Sequence, residues 1–574
     1  MAEEIKEELS RATAGEERVL LALMPFWDPQ IPPLGIAVLK SMLQEHGYSV
    51  KAVDLNIEID FRAIYRKYFD ALIEMVPGEK RRHLYNIGHE VLKNHLMAQQ
   101  NHRAGDDYLE LVQDLVYKTF YTGITPEQAE ELTAIIREFY TRLENYLRDL
   151  YTQFRPTVLG LSVYTGSVAA SLFAFKLARE IDPHIKTVMG GGVFFSDLAV
   201  DSPNYKEFLE KVDYIDQFVI GEGEKALVAF IKGELPRDQR VVISQENPQY
   251  RLDLSTAPVP DFSDFDLQYY SHLAAYTSRS CPFQCNFCVE TTYWGKFRKK
   301  NGQRIADEIS QLSKQYDNQL FVLCDCLLNP VINDLSRKLI ERDMSVYWDG
   351  YIRADKPTCD PENTLLWRKG GFYRARLGLE SGSQRILDLM DKCITVDQVK
   401  SSVATIASAG IKTSTMWVIG YPGETEEDFQ KTLRLIEEMK DNIYEADCNP
   451  FWYYLTGQLN SGEWDRDHQS RLLYPPGAAD MLMLQTWIVD AEPSREETYS
   501  RVNRFIDFCR SLGIPNPYTL QEIESADNRW QKLQKNAVPP ISEFRSKRKY
   551  IDENLAVKQL QVARKLEDSG DWGF

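Results

Sequence analysis

Apolar residues fall along this chain in two kinds of run. Short, nearly unbroken runs bounded by turn residues predict buried strands, and longer runs with apolar positions three and four apart predict helices. RVLLALM (18–24) and SVKAVD (49–54) are of the first kind. LGIAVLKSMLQEHGY between them is of the second kind and leaves through a glycine, which makes a β-α-β unit. TVLGLSV (157–163), KTVMGGG (186–192) and QFVIGEGE (217–224) continue the strands, with the helical SLFAFKLAREI inside the series. Strands alternating with helices predict a parallel sheet covered on both faces, a flavodoxin-like or Rossmann-type α/β domain over 18–230.

Residues 57–156 interrupt that order without a strand signal and read as a helical insertion. In TPEQAEELTAIIREFYTRLENYLRDL, Thr125 suits an N-cap and Pro126 the first turn. Leu132, Ile135, Ile136, Phe139, Leu143, Tyr146, Leu147 and Leu150 share one face of that helix. The histidines of the insertion, His83, His89, His95 and His102, are expected on its polar surface. Residues 231–270 are rich in proline and aspartate and read as a linker. A second series then begins at LAAYTSRS (273–280), LFVLCD (320–325) and VYWDGYIR (346–353). It continues at YRARLGLES (373–381), KTSTMWVIG (412–420) and EADCNPFWYYL (445–455). Six β/α repeats over 271–455 predict a partial (β/α)6 TIM-like barrel with its site at the C-terminal strand ends. Residues 456–574 read as a mainly helical cap or substrate region, and 1–17 as an N-terminal tail.

Composition narrows the class. The 574 residues are 43% hydrophobic and 26% charged, with a formal net charge of −18. That balance argues against a nucleic-acid partner, although KFRKKNGQR (296–304) and EFRSKRKY (543–550) are locally basic. No apolar run reaches the roughly eighteen residues of a membrane span. The acidic start lacks a secretory pattern, so a cytoplasmic protein without a disulfide framework is expected.

Against that background SRSCPFQCNFCVETTYWGKF places Cys281, Cys285 and Cys288 within eight positions, after the first barrel strand. Three thiolates can hold three irons of a [4Fe–4S] cluster and leave the fourth open. Structural zinc is the alternative. It closes its shell with four protein ligands, and here only Cys324 or Cys326, on the next strand, could complete it in space.

The C-x-x-x-C-x-x-C spacing resembles that of the radical S-adenosylmethionine (SAM) superfamily, which implies SAM chelated at the open iron and cleaved to a 5′-deoxyadenosyl radical. The resemblance places Phe287 beside adenine and Glu380, in LGLESGSQ, on the ribose. It sets Gly420, Tyr421 and Pro422, in GYPGET, on the adenine side, and Asp325 and Arg353 near the methionine carboxylate or amine. The frequent Gly-Gly-Glu after the second strand is replaced by CDCLLNP.

The glycine turns of the first sheet, with PPLGIAVLKSMLQEHGYSVKAVDLN, resemble the cobalamin-binding domain of cobalamin-dependent radical SAM enzymes. On that likeness Ser162, Val163, Tyr164, Gly190, Gly191 and Gly192 line the slot for the cofactor's tail. Gly221, Glu222 and Gly223 approach the corrin or its nucleotide loop, and Pro33, Leu34 and Gly35 follow the loop PFWDPQIPPLG. That loop holds no histidine, which implies base-off cobalamin without a protein histidine on cobalt, with Trp27, Asp28 or Gln30 at its lower face.

The implied activity is methyl transfer to an unactivated carbon, or to a phosphinate phosphorus, of a natural-product or peptide intermediate. It would proceed through methylcobalamin and the deoxyadenosyl radical, with no general base required. The alternative is a cobalamin-dependent cyclisation or rearrangement without net methylation. A tRNA methylthiotransferase fits poorly, because residues 1–280 contain no cysteine. Expected partners are a small-molecule, peptide or carrier-bound substrate and an electron donor such as flavodoxin or ferredoxin.

Overall fold

The computed structural model describes residues 17–534 except Asp28, Arg237, Asn460 and 517–519. The tail 1–16 and the basic stretch 543–550 therefore lie outside the described residues, as does Asp28.

β1 (Arg18–Leu23), β2 (Ser49–Asp54), β3 (Val158–Ser162), β4 (Lys186–Gly190), β5 (Gln217–Ile220) and β6 (Val241–Ile243) form a sheet in the order 2-1-3-4-5-6. Every neighbouring pair is parallel. Up to β5 this is the flavodoxin-like order, whose topological switch lies between β1 and β3. β1 is buried along almost its whole length, as a strand covered on both faces must be. β6 lies inside the segment read as a linker, so that segment extends the sheet before leaving it.

Between β2 and β3 stand four helices, Ile59–Met75, Leu84–Asn101, Tyr108–Phe120 and Pro126–Phe154. Thr125 caps the last of these in a capping box with Gln128. Its predicted apolar face is buried, apart from Tyr146 and Leu150, which are partly covered. The histidines depart from expectation. His83 and His95 are buried, and His95 sits between Tyr68 Oη and Tyr108 Oη, 2.9 Å from each. The insertion has a core of its own, and polar side chains enter it wherever each finds a partner.

The second sheet runs β14-β13-β12-β11-β10-β7, again parallel. Its strands are β7 (Leu273–Ala275), β10 (Leu320–Leu323), β11 (Tyr347–Arg353), β12 (Phe372–Glu380), β13 (Lys412–Ile419) and β14 (Glu445–Pro450). Each falls where the apolar pattern places it. A two-residue ribbon, β8 (Ser278–Arg279) against β9 (Arg298–Lys299), brackets the cysteine loop. Among the described residues beyond 456 the chain is mainly helical, with the antiparallel ribbon β15 (Gln469–Leu472) and β16 (Trp487–Asp490) as a departure. The helix Arg495–Ser511 packs along the edge of the barrel, bringing Phe505 to 6.4 Å from Trp417. Among the described residues no helix is long and apolar enough to cross a membrane.

Burial holds His83 down at about 4 and His95 at about 3, well below the ordinary 6.5. A histidine whose folded pKa is depressed contributes stability that is present above pH 6.5 and lost as pH falls toward its folded value. Thermal melts should therefore weaken steadily between pH 6.5 and 4. His95→Gln, which cannot titrate, should show a shallower loss over that window in circular dichroism.

Candidate functional site

The barrel strands end around one loop. Asp325, just beyond β10, gathers the exit of β7: it accepts from Thr277 N at 2.9 Å, Thr277 Oγ1 at 3.0 Å, Ser278 Oγ at 2.6 Å and the Ser278 amide. Burial pushes its carboxyl up to about 6 against the pull of those donors. Asp325 is thus a strut under the cysteine loop, with its oxygens engaged by the chain itself. Ser280 then turns through the left-handed region, φ +71°, and its hydroxyl donates to Gly295 O at 2.6 Å.

The loop 281–288 is stitched to three other strand exits. Asn286 N donates to Met390 O at 3.1 Å, Tyr421 Oη donates to Asn286 Oδ1 at 2.8 Å, and Gln458 Nε2 donates to Phe287 O at 3.0 Å. Cys281, Cys285 and Cys288 carry free thiols close enough for each to feel the others. Burial pushes Cys288 up to about 12 and raises Cys281 as well, so a bound cation is what would turn them into thiolates. Arg353, at the end of β11, lies over the Phe283 ring at 4.0 Å and points Nη1 at Cys285 Sγ, 3.6 Å away. Its Nη2 is buried and has no partner among the described residues. A buried guanidinium with an idle N–H beside three thiols fits an anionic cluster and a carboxylate bound to it.

Cys326 Sγ instead meets Glu290 Oε2 at 3.1 Å, and Cys324 is exposed. Among the described residues no three or more His, Cys, Asp or Glu side chains stand ready as a metal site, Cys281, Cys285 and Cys288 included.

The other residues expected near SAM are brought to the same rim. Phe287 packs with Tyr421, Tyr453 and Trp464, and Lys392 Nζ lies 5.7 Å from its ring. Glu380 ends β12 with φ +64° and accepts from Lys392 Nζ at 2.6 Å. Gly420, φ +77°, is required because a Cβ there would meet Thr498 Oγ1 at 2.2 Å, so a helix of this chain demands the small residue. Gly420 N donates to Glu424 Oε2 at 3.0 Å, and Arg501 Nη1 holds that oxygen at 3.1 Å. Tyr421 reaches back to the cysteine loop, and Pro422 follows it. Lys392 and Arg501 escape a sequence reading because neither lies in a motif, and Asn286 escapes it because the cysteine spacing leaves its position open; their partners are set by tertiary packing.

The glycine turns of the first sheet meet at its C-terminal edge. Val163 N donates to Gly190 O at 2.7 Å, and Val193 N to Val163 O at 3.0 Å. A Cβ on Gly191 would lie 2.4 Å from Val163 N, and one on Gly192 would lie 2.8 Å from the Tyr164 ring. These glycines let neighbouring turns close on each other. Above Ser162, Tyr164 stacks on Trp27 with centroids 4.5 Å apart, and Trp27 remains 46% exposed. Tyr293, from the short helix Glu290–Trp294 that follows the cysteines, reaches the same edge, its hydroxyl donating to Gly191 O at 3.3 Å. An exposed flat ring at a strand edge suits a planar macrocycle. Pro33, Leu34 and Gly35 open the helix Leu34–Glu45, and nothing lies within 4 Å of a Cβ on Gly35.

The Gly221–Gly223 turn, expected near the corrin, also carries a structural load. Glu222 is buried, accepts from Leu252 N at 2.7 Å, and pairs with Arg279 at 2.9 Å and with Arg298. Arg279 also pairs with Glu224. Glu222 therefore joins the first sheet to the strand that carries the cysteines. Gly221, φ +90°, is pinned because a Cβ would meet Ser244 Oγ at 2.3 Å.

Residues 276–436 match the Radical SAM superfamily. Over 52% of the chain there is 26% identity to the anaerobic magnesium-protoporphyrin IX monomethyl ester cyclase of Rubrivivax gelatinosus, of which 57% is covered. Over 50% of the chain there is 24% identity to the cytidylyl-2-hydroxyethylphosphonate methyltransferase of Streptomyces wedmorensis, of which 63% is covered. The chain thus spans little more than half the length of these curated relatives. The radical SAM methyltransferase TsrM of Kitasatospora setae, solved with cobalamin and a [4Fe–4S] cluster bound, superposes over 92% of this chain and 99% of its own. Its TM-score is 0.58 at 14% identity, which establishes a shared fold.

Asp325→Asn should destabilise the protein by roughly 3 kcal/mol, because one carboxylate oxygen becomes a donor facing donors. The fall should appear in thermal melts together with less iron held per chain after reconstitution. A variant melting like the parent with full iron content would show that Asp325 carries no such load.

Proposed function

From a chain whose residues 276–436 form a radical SAM domain, we propose a cobalamin-dependent radical SAM methyltransferase acting on an unactivated carbon or a phosphinate phosphorus. One observation supports the reading: the seam between the cysteine segment, with its half-engaged Arg353, and the glycine edge under the Trp27–Tyr164 stack is bridged by Tyr293, whose hydroxyl donates to Gly191 O at 3.3 Å. Bound there, cluster and SAM would supply a 5′-deoxyadenosyl radical and cobalamin a transferable methyl group.

The chain's own residues hold and shield. Cys281, Cys285 and Cys288 ligate iron. Arg353 sets the idle Nη2 against the methionine carboxylate or the cluster's charge. Glu380, oriented by Lys392 through Oε1, offers its carboxylate to ribose hydroxyls. Phe287 and the Gly420–Pro422 turn flank adenine. Asp325 positions the cysteine loop without touching the cofactor. On the other edge Ser162–Tyr164 and Gly190–Gly192 would bound the slot for the cobalamin tail, and Trp27 would offer its exposed ring to the macrocycle. Hydrogen-atom abstraction requires no general base, and none is assigned. The named cyclase relative favours a second reading, in which the same cofactors drive a ring closure without methyl transfer.

The anaerobically reconstituted protein, given cobalamin, reductant and SAM with a deuterated methyl, should place the label on cobalamin in step with S-adenosylhomocysteine and release 5′-deoxyadenosine slowly. Deoxyadenosine without labelled cobalamin would favour ring closure, and failure to retain cobalamin would remove both readings. Cys285→Ala should abolish deoxyadenosine release and reduce bound iron by mass spectrometry and iron assay. Cob(II)alamin on the protein should give an electron paramagnetic resonance spectrum without nitrogen splitting along the axial direction; a three-line splitting there would refute the base-off, histidine-off assignment.

A further inference from the structure

Beside the cysteine loop, a pocket of about 200 Å³ opens between the helical insertion, the turn after β4, the exits of β13 and β14, and β16. At ~30 Å³ per water it has room for about seven water molecules, or one amino-acid-sized fragment. Its floor holds a side chain with nothing to do. Gln485 is only 9% exposed, and neither its Oε1 nor its Nε2 has a partner among the described residues. Its backbone is clamped: Asn204 Nδ2 donates to Gln485 O at 2.8 Å, and Gln485 N donates to Asn204 Oδ1 at 3.0 Å. The amide therefore stands at the wall by construction. Two residues on, the buried Trp487 Nε1 also lacks an acceptor. Each such idle group carries a desolvation cost that a partner would remove.

The opposite wall is charged. Lys93 Nζ lies 2.9 Å from Glu90 Oε1 and 3.5 Å from Asp197 Oδ2, so two carboxylates share one ammonium. Arg495 lines the same pocket, so two cations face two carboxylates there, and Asp197, which Lys93 reaches only at 3.5 Å, is the more weakly engaged carboxylate and the one open to a further N–H donor. A ligand that satisfies all three features carries a donor and an acceptor side by side for Gln485, an acceptor for Trp487, and an ammonium for Asp197. Tyr454 and Trp487 supply flat walls.

We propose that this pocket is the substrate subsite for an amino-acid amide or the amino terminus of a peptide, with its carboxamide on Gln485 and its ammonium toward Asp197. The proposal rests on the seam being the active site. Adenine also shows a donor–acceptor edge, and the pocket reaches Gly420 and Pro422, so SAM is the competing source of the same chemistry.

Isothermal titration of the anaerobically reconstituted, full-length protein with L-phenylalaninamide decides it, with L-phenylalanine methyl ester as the ligand that keeps the acceptor and loses the amide donors. The amide should bind about tenfold more tightly than the ester. Gln485→Leu should weaken the amide about tenfold and leave the affinity for SAM unchanged. Trp487→Phe, which keeps an aromatic wall but removes the N–H with part of the indole, should weaken it severalfold and guards against a leucine variant that misfolds. No binding of the amide, equal affinity in both variants, or a loss of SAM affinity in Gln485→Leu would each overturn the proposal. Because the readout is binding without turnover, its failure is separable from a failure to label cobalamin.

Discussion

The seam depends on one buried cation. Arg279 bridges Glu222 and Glu224, from the turn that ends β5, and lies over the rings of Tyr276 and Trp294 at 5.2 and 5.5 Å. Arg298 adds a second hold on Glu222. Removing one member of such a network strands a charge in the interior, which costs about 3–5 kcal/mol. Arg279 stands two residues before Cys281, so the register that sets the cysteine loop against the facing sheet is also the register that satisfies the carboxylates. Asp325 fixes the same loop from the barrel side. Between them the loop has little freedom.

Much of this was legible in the chain. All six barrel strands and the first five strands of the other sheet follow from apolar runs, because parallel strands buried on both faces leave a continuous signature. The cysteine triplet was legible because its spacing is local. What escaped is tertiary. β6 is only three residues long and sits among prolines, and the β15–β16 ribbon is too short for alternation to register. Glu222 reads as a turn residue beside glycines until Arg279 and Arg298 arrive from the barrel. His95 reads as surface because a histidine in a helix usually is; only Tyr68 and Tyr108, from two other helices, make it a core residue.

The structure also divides labour along the chain. The cysteine loop, the strand exits and the glycine edge belong to the two parallel sheets that the shared fold contains. The pocket beside them is walled by the insertion and the C-terminal ribbon. Relatives matched over little more than half their length can therefore share reactive machinery while differing in what they admit, consistent with function residing in sites grafted onto a common scaffold.

The Glu222–Arg279 pairing has a consequence for biosynthesis. A ribosome releases every strand of the first sheet before it releases Arg279, and Arg298 follows some seconds later at ~5–20 residues per second. During that interval the nascent sheet carries two acidic side chains destined for the interior with no counter-charge. It must keep that corner open to water until the barrel's first strand emerges. The last corner of the amino-terminal domain therefore closes only once the cysteine loop is present, which ties the maturation of one half of the enzyme to the appearance of the other.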